Sequence, residues 1–139
     1  MTTTNNTTTR TKKVLYWIST GFAALALTAA GATNLMPAPQ VVATMSHLGY
    51  PSYVATILGT WKLLGVLAIL APGFPRLKEW AYAGFFFDLT GAAMSHAATG
   101  DPVGVVVVPL VLLVVVMGSW ALQPARGAVV LKLKPAEAV

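Results

Sequence analysis

Four apolar runs, Val14–Thr33, Tyr53–Ala71, Trp80–Ala98 and Val103–Leu122, are joined by short stretches carrying Pro, Gly and charge, and this pattern leaves the chain few folds. A helix rises about 1.5 Å per residue, so each run comes close to the roughly 30 Å needed to cross the hydrocarbon core of a bilayer. In hydrocarbon the backbone must satisfy its own polar groups, which makes each run a helix. Composition removes the soluble alternative. Of the 139 residues, 56% are hydrophobic and 9% charged, where a soluble domain carries about 25% charged residues. The expected architecture is an all-α integral membrane four-helix bundle over residues 14–122, with spans at 14–33, 53–71, 80–98 and 103–122. A short outer amphipathic helix is expected between the first and second spans.

The segments outside the runs set the topology. Residues 1–13 are rich in Thr and Asn, end in Arg10, Lys12 and Lys13, and have nothing apolar to bury, so a disordered cytoplasmic tail is expected. This start also has the outline of a signal peptide, but its apolar run exceeds the usual ~7–15 residues, which favours an uncleaved anchor. Between Asn34 and Ser52, Val41, Val42, Met45 and Leu48 share one helical face, which predicts a surface helix over Gln40–Leu48. Residues 123–139 form a basic cytoplasmic tail. Every Lys and Arg except Lys62 falls on one side of the four spans, and by the positive-inside rule both termini are cytoplasmic. These basic residues lie dispersed beside helix ends, which excludes a nucleic-acid surface. There is no cysteine, which excludes dithiol redox, iron–sulfur ligation and thiolate metal sites within the chain.

Lys62 is the one basic residue inside a run, and Asp88 lies at matching depth in the next, nine residues after Tyr53 and eight after Trp80 respectively. An unpaired charge at the helix centre costs about 2.5–3.5 kcal/mol on insertion scales, so the two are expected to pair or to line a wet cavity. Each also sits in a stripe of small residues, Ala55, Gly59 and Gly65 on one helix and Gly84, Gly91 and Ser95 on the other, the kind of face that lets helices approach. Two readings stay open: an ion pair that fixes helix register, and a midplane functional site. On the outer face, His96, His47 and Asn34 form a candidate ligand or quinone site. The plainer reading there, which is preferred, is two interfacial histidines bonded to backbone or water. Asp101 reads as a turn residue before Pro102. No metal site, Walker loop, dinucleotide fingerprint or nucleophile–base set is present in the sequence.

The segments Trp61-Lys62-Leu63-Leu64-Gly65, Ala71-Pro72-Gly73-Phe74-Pro75-Arg76-Leu77-Lys78-Glu79-Trp80-Ala81-Tyr82-Ala83-Gly84 and Gly91-Ala92-Ala93-Met94-Ser95-His96, with Leu48-Gly49-Tyr50-Pro51 upstream, resemble the DoxX-like family of small bacterial membrane proteins. The resemblance covers about residues 14–122. It implies a location in the bacterial inner membrane and an accessory role beside a redox or quinone-linked membrane oxidoreductase, because the family's name derives from a subunit associated with thiosulfate:quinone oxidoreduction. A quinone is the cofactor it points to. The chain departs from the family pattern at Lys62, where many relatives carry an acidic residue; here Asp88 supplies the acid from the next helix. The rival readings are a small transporter or proton-conducting subunit gated by the same pair, and a structural scaffold with no chemistry of its own. The lipid bilayer is the expected partner, and small-residue faces also allow a homo-oligomer.

Overall fold

The computed structural model describes residues 2–124, with side chains from Thr7 onward. Five helices make up the described residues: α1 (Thr2–Leu35), α2 (Pro39–His47), α3 (Tyr53–Leu70), α4 (Pro75–Ala98) and α5 (Val103–Ala121), with no strand among them. Each of the four long helices packs on two of the others, α1 on α3 and α5, α4 on α3 and α5, while α2 touches α3. The expected tail at 123–139 lies outside the described residues except for Gln123 and Pro124.

Two boundaries differ from the sequence expectation. The first helix does not begin at Val14: residues 2–13, expected to be disordered, continue α1 as one helix of 34 residues. That stretch contains no Gly or Pro to break it, and the Thr11 hydroxyl donates to the Thr7 carbonyl at 2.9 Å, so a β-branched polar side chain is satisfied without leaving the helix. Extending a nucleated helix costs far less than starting one. α4 likewise starts at Pro75 and not at Trp80, because Pro at the first helical turn has a preset φ and lacks only an N–H that would be unpaired there anyway.

The packed face of α1 is Tyr16, Thr20, Ala23, Ala24, Leu27 and Gly31, at spacings of three and four, and that of α4 is Tyr82, Phe85, Leu89 and Ala93. Of these, Ala23, Ala24, Leu27, Tyr82, Phe85 and Leu89 form one apolar core with Val66, Ile69 and Val116. The tightest approach is between α1 and α3. A Cβ added at Gly59 would lie 2.7 Å from the Gly31 carbonyl oxygen, so two backbones touch where no side chain could fit. Gly65 does the same for a ring, since its Cβ would meet Phe85 at 2.5 Å. The small residues of α4 behave differently. A Cβ on Gly84 or Gly91 would meet nothing within 4 Å, so the stripe containing Asp88 runs beside the contact and is not the surface of closest approach.

The exterior is apolar. Leu25, Leu67, Val103, Val108 and Val114 are all more than 60% exposed, a surface that requires lipid around it. Residues 7–35 of α1, α3 and α5 are long and apolar enough to cross a membrane. α4 is not among these three, because Asp88, His96 and its small residues dilute its apolar content. If the Gly31–Gly59 contact sets the bundle, Gly59→Ala will cost about 1–3 kcal/mol of stability by overpacking. Gly21→Ala, at an exposed position of the same crossing helix where a Cβ meets nothing, will leave stability unchanged or raise it. Thermal unfolding of both variants in detergent checks this.

Candidate functional site

Near the middle of α3 and α4, Lys62 Nζ donates to Asp88 Oδ1 at 2.9 Å, with side chains 11% and 15% exposed. The two charges singled out in the sequence therefore do meet. Antiparallel helices joined by the turn Ala71–Phe74, which closes on Gly73 at φ 85°, bring the two mid-helix positions level. Asp88 Oδ2 is buried and has no hydrogen-bond partner among the described residues. Beside the pair lies a cavity of about 520 Å³ between α3 and α4 alone, walled by Leu64, Gly65, Ala68, Leu77, Gly84 and Phe85, with Trp61 and Trp80 at its rim. Its walls are apolar except at the ion pair. Trp61 and Trp80 are 67% and 79% exposed, so this cavity opens sideways on the outer surface of the helices.

The second group lies at the end of the bundle where α4 meets α5. His47 Nε2 lies 2.6 Å from Asp101 Oδ1, and His96 Nδ1 lies 2.6 Å from Asp101 Oδ2. The Thr99 hydroxyl donates to Asp101 Oδ2 at 3.3 Å. Local backbone geometry builds this. α4 ends in a left-handed Gly100, φ 75°, with Gly100 N–H on the Ala97 carbonyl and Asp101 N–H on the His96 carbonyl, which folds Asp101 back over His96. α2 ends the same way at Gly49, and the Tyr50 hydroxyl that follows pairs with Ser95 at 2.9 Å. Hydrogen bonds from His96 first and His47 second hold the Asp101 carboxyl below the ordinary carboxylate range.

The histidines are thus brought together, but through a carboxylate, where bonding to backbone or water was the preferred expectation. Asp101, read as a turn residue, is the centre of the cluster. Asn34 stands apart from it, packed against Gly59 at the α1–α3 contact. Among the described residues no group of three His, Cys, Asp or Glu is arranged to hold a metal ion. The two imidazoles address different oxygens of one carboxylate and share no common point.

A third polar group was not anticipated. At the opposite end of the bundle, Ser119 Oγ lies 2.6 Å from Thr20 Oγ1 and 2.8 Å from Tyr82 Oη, joining α5 to α1 and α4. Trp120 Nε1 donates to Glu79 Oε2 at 2.7 Å nearby. Thr20 and Ser119 are fully buried, and buried hydroxyls between helices must find one another because lipid offers nothing. The signal available in the sequence was Ser119, the single hydroxyl in the otherwise apolar α5; Thr20, directly after Ser19, carried no such mark.

An all-helical chain with an apolar exterior and a paired charge at mid-helix defines an integral membrane protein. The sequence matches the family model described as the DoxX-like family over residues 18–119, and the chain belongs to that family. No curated protein and no solved structure matches it.

Because Asp101 is depressed in the folded state, its contribution is present above the ordinary carboxylate value, 3.8, and is lost as pH falls through the lower folded value. Amide exchange in α2, corrected for intrinsic rate, will therefore stay protected from pH 7 to about 5 and be lost only in stronger acid. Asp101→Asn will expose α2 at every pH. Release of wild-type α2 on acidification well above the ordinary carboxylate range would contradict control by Asp101.

Proposed function

We propose that the chain is a four-span protein of the bacterial cytoplasmic membrane, with both termini cytoplasmic, that serves as an accessory subunit of a redox or quinone-linked membrane system. Support for the fourth span comes from α4 itself. Its 24 residues reach about 36 Å, enough to cross. It packs between α3 and α5, both apolar enough to span, and its central charge is paired. The one-sided distribution of basic residues supports the orientation. α2, with Met45 buried and Val41 and Leu48 half-buried, suits a helix lying on the outer surface.

The observation that carries the functional reading is where the Lys62–Asp88 pair stands. It lines a cavity open at the side of the bundle, with Asp88 Oδ2 unpartnered and Lys62 bonded only to Asp88 among the described residues. A pair serving register alone is best enclosed and fully satisfied. This one suits traffic with molecules dissolved in the membrane. The rival transport reading needs a path along the bundle axis, and Leu27, Val66, Ile69, Phe85, Leu89 and Val116 pack an apolar core there.

A quinone suits the cavity, where Lys62 offers N–H donors above apolar walls, better than the histidine cluster, whose imidazoles are engaged with Asp101. Bound there, it would supply two-electron acceptor chemistry to a partner; this chain would contribute only binding and placement. The test is purification from native membranes in mild detergent, with an absorption spectrum and mass spectrometry of what remains bound. A quinone or an oxidoreductase that accompanies wild type and is depleted in Asp88→Asn is the expected result. Bulk lipid alone in both preparations would overturn the redox assignment.

A further inference from the structure

One exposed side of α1 carries cationic and apolar groups together. Because residues 2–13 continue the helix, Arg10 and Lys13 stand three residues apart on one face, with Val14, Trp17 and Ile18 one and two turns further along. These five side chains line a shallow groove on the surface of α1. The core face of the helix looks elsewhere. Tyr16, Thr20, Ala23 and Leu27 are buried, whereas Val14, Trp17 and Ile18 are each more than half exposed. At about 1.5 Å per residue, Lys13 lies roughly 6 Å and Arg10 roughly 10 Å beyond Trp17 along the helix axis. An indole favours the boundary between hydrocarbon and headgroups, and the headgroup layer is about 5–8 Å thick, so both long basic side chains are within reach of the lipid phosphates.

We propose that this face of α1 is a binding site for an anionic phospholipid of the surrounding leaflet, its phosphate held between Arg10 and Lys13 and an acyl chain laid over Val14, Ile18 and Gly21. Charge selects the head. No Asp or Glu precedes Glu79 in the sequence, and neither Arg10 nor Lys13 has an ion-pair partner among the described residues, so the groove holds two uncompensated cations. The guanidinium offers a planar fork that matches two phosphate oxygens, and the ammonium adds a point charge. A zwitterionic lipid would bring its own cation into that field and gain less. The apolar groups select a lipid over a free anion, because Val14, Trp17 and Ile18 offer nothing to soluble phosphate. Gly21 gives the chain room: a Cβ there would meet nothing within 4 Å, while Leu25, one turn on, is 73% exposed, which leaves a gap in the bulky row. Lys12 sets the site apart from a general basic belt. Two residues from Arg10, it stands about 160° away around the helix and does not line the groove.

This site is independent of the redox reading and needs only that α1 crosses the membrane, for which residues 7–35 are long and apolar enough. The whole chain is purified in a nonionic detergent and given equal amounts of phosphatidylglycerol and phosphatidylcholine with matched acyl chains, and native mass spectrometry counts the lipids retained. Wild type is expected to retain phosphatidylglycerol preferentially. Lys13→Gln is expected to weaken that retention about fivefold, and Arg10→Gln combined with Lys13→Gln more than about tenfold, since each basic group near a lipid phosphate contributes a factor of about five. Lys12→Gln, which removes the same charge from the adjacent residue, is expected to stay within about twofold of wild type. Gln is a good helix former, and unchanged helicity by circular dichroism separates loss of the site from loss of the fold. Excess glycerol phosphate is expected not to displace the lipid. No preference between the two lipids in wild type, equal losses in Lys12→Gln and Lys13→Gln, or displacement by glycerol phosphate would each overturn the proposal.

Discussion

The ion pair between Lys62 and Asp88 is the constraint that the arrangement of α3 and α4 depends on. Either charge alone at the centre of a membrane helix costs about 2.5–3.5 kcal/mol on insertion scales, and α4 has too little apolar content to absorb that cost by itself. With Lys62 Nζ and Asp88 Oδ1 2.9 Å apart, the two mid-helix charges of the hairpin offset each other. Register follows from this requirement. A slip of one turn along either helix would strand both charges, so the turn at Ala71–Phe74, with Gly73 in the left-handed region, has to deliver α4 at one height only. The position of the pair at the side of the bundle then follows from packing. Tyr82, Phe85, Leu89 and Ala93 take the core face of α4, and Asp88 is left on the flank with Gly84.

Lipid supplies little hydrophobic drive for helix association, so the bundle holds together by close approach and by hydroxyl pairing. The two devices work at opposite ends. Near the end of α1, Gly31 and Gly59 let backbones touch; near the start of α4, Ser119 collects Thr20 and Tyr82. The histidine cluster adds a tie for α2, which otherwise contacts only α3 to any extent. Its three members come from α2, the last turn of α4 and the following loop, so one carboxylate fixes three segments.

Much of this was legible in the sequence. Length and hydropathy of the runs place α3 and α5 nearly residue for residue, and the matching depths of Lys62 and Asp88 predict their meeting. Spacing alone could not say which small residues pack. The stripes 55/59/62/65 and 84/88/91/95 look alike, yet Gly59 and Gly65 are in contact and Gly84 and Gly91 are open, because bulk on the neighbouring helix, Phe85 in particular, decides which face closes. The disorder expected over residues 1–13 weighed composition and missed the lack of any helix breaker before an established helix. Asp101 was misread because its role depends on the helix ending. Once α4 terminates on a left-handed Gly100, the residue after that glycine must fall back on His96, and the pattern His-x-x-x-Gly-Asp in residues 96–101 carries that information.

Family membership places the chain in the membrane. The mid-depth position proposed for the ion pair depends on α4 crossing the bilayer as a fourth span beside the three helices apolar enough to do so. The chain has no cysteine, so single-cysteine variants report without background. Pro72→Cys and Ala98→Cys, at exposed positions flanking the two ends of α4, would be labelled with a membrane-impermeant maleimide from each side of sealed vesicles. Labelling from opposite sides is the predicted result, and it puts Asp88 between two aqueous faces. Labelling of both positions from the same side would contradict the fourth span and, with it, the mid-depth position of the ion pair.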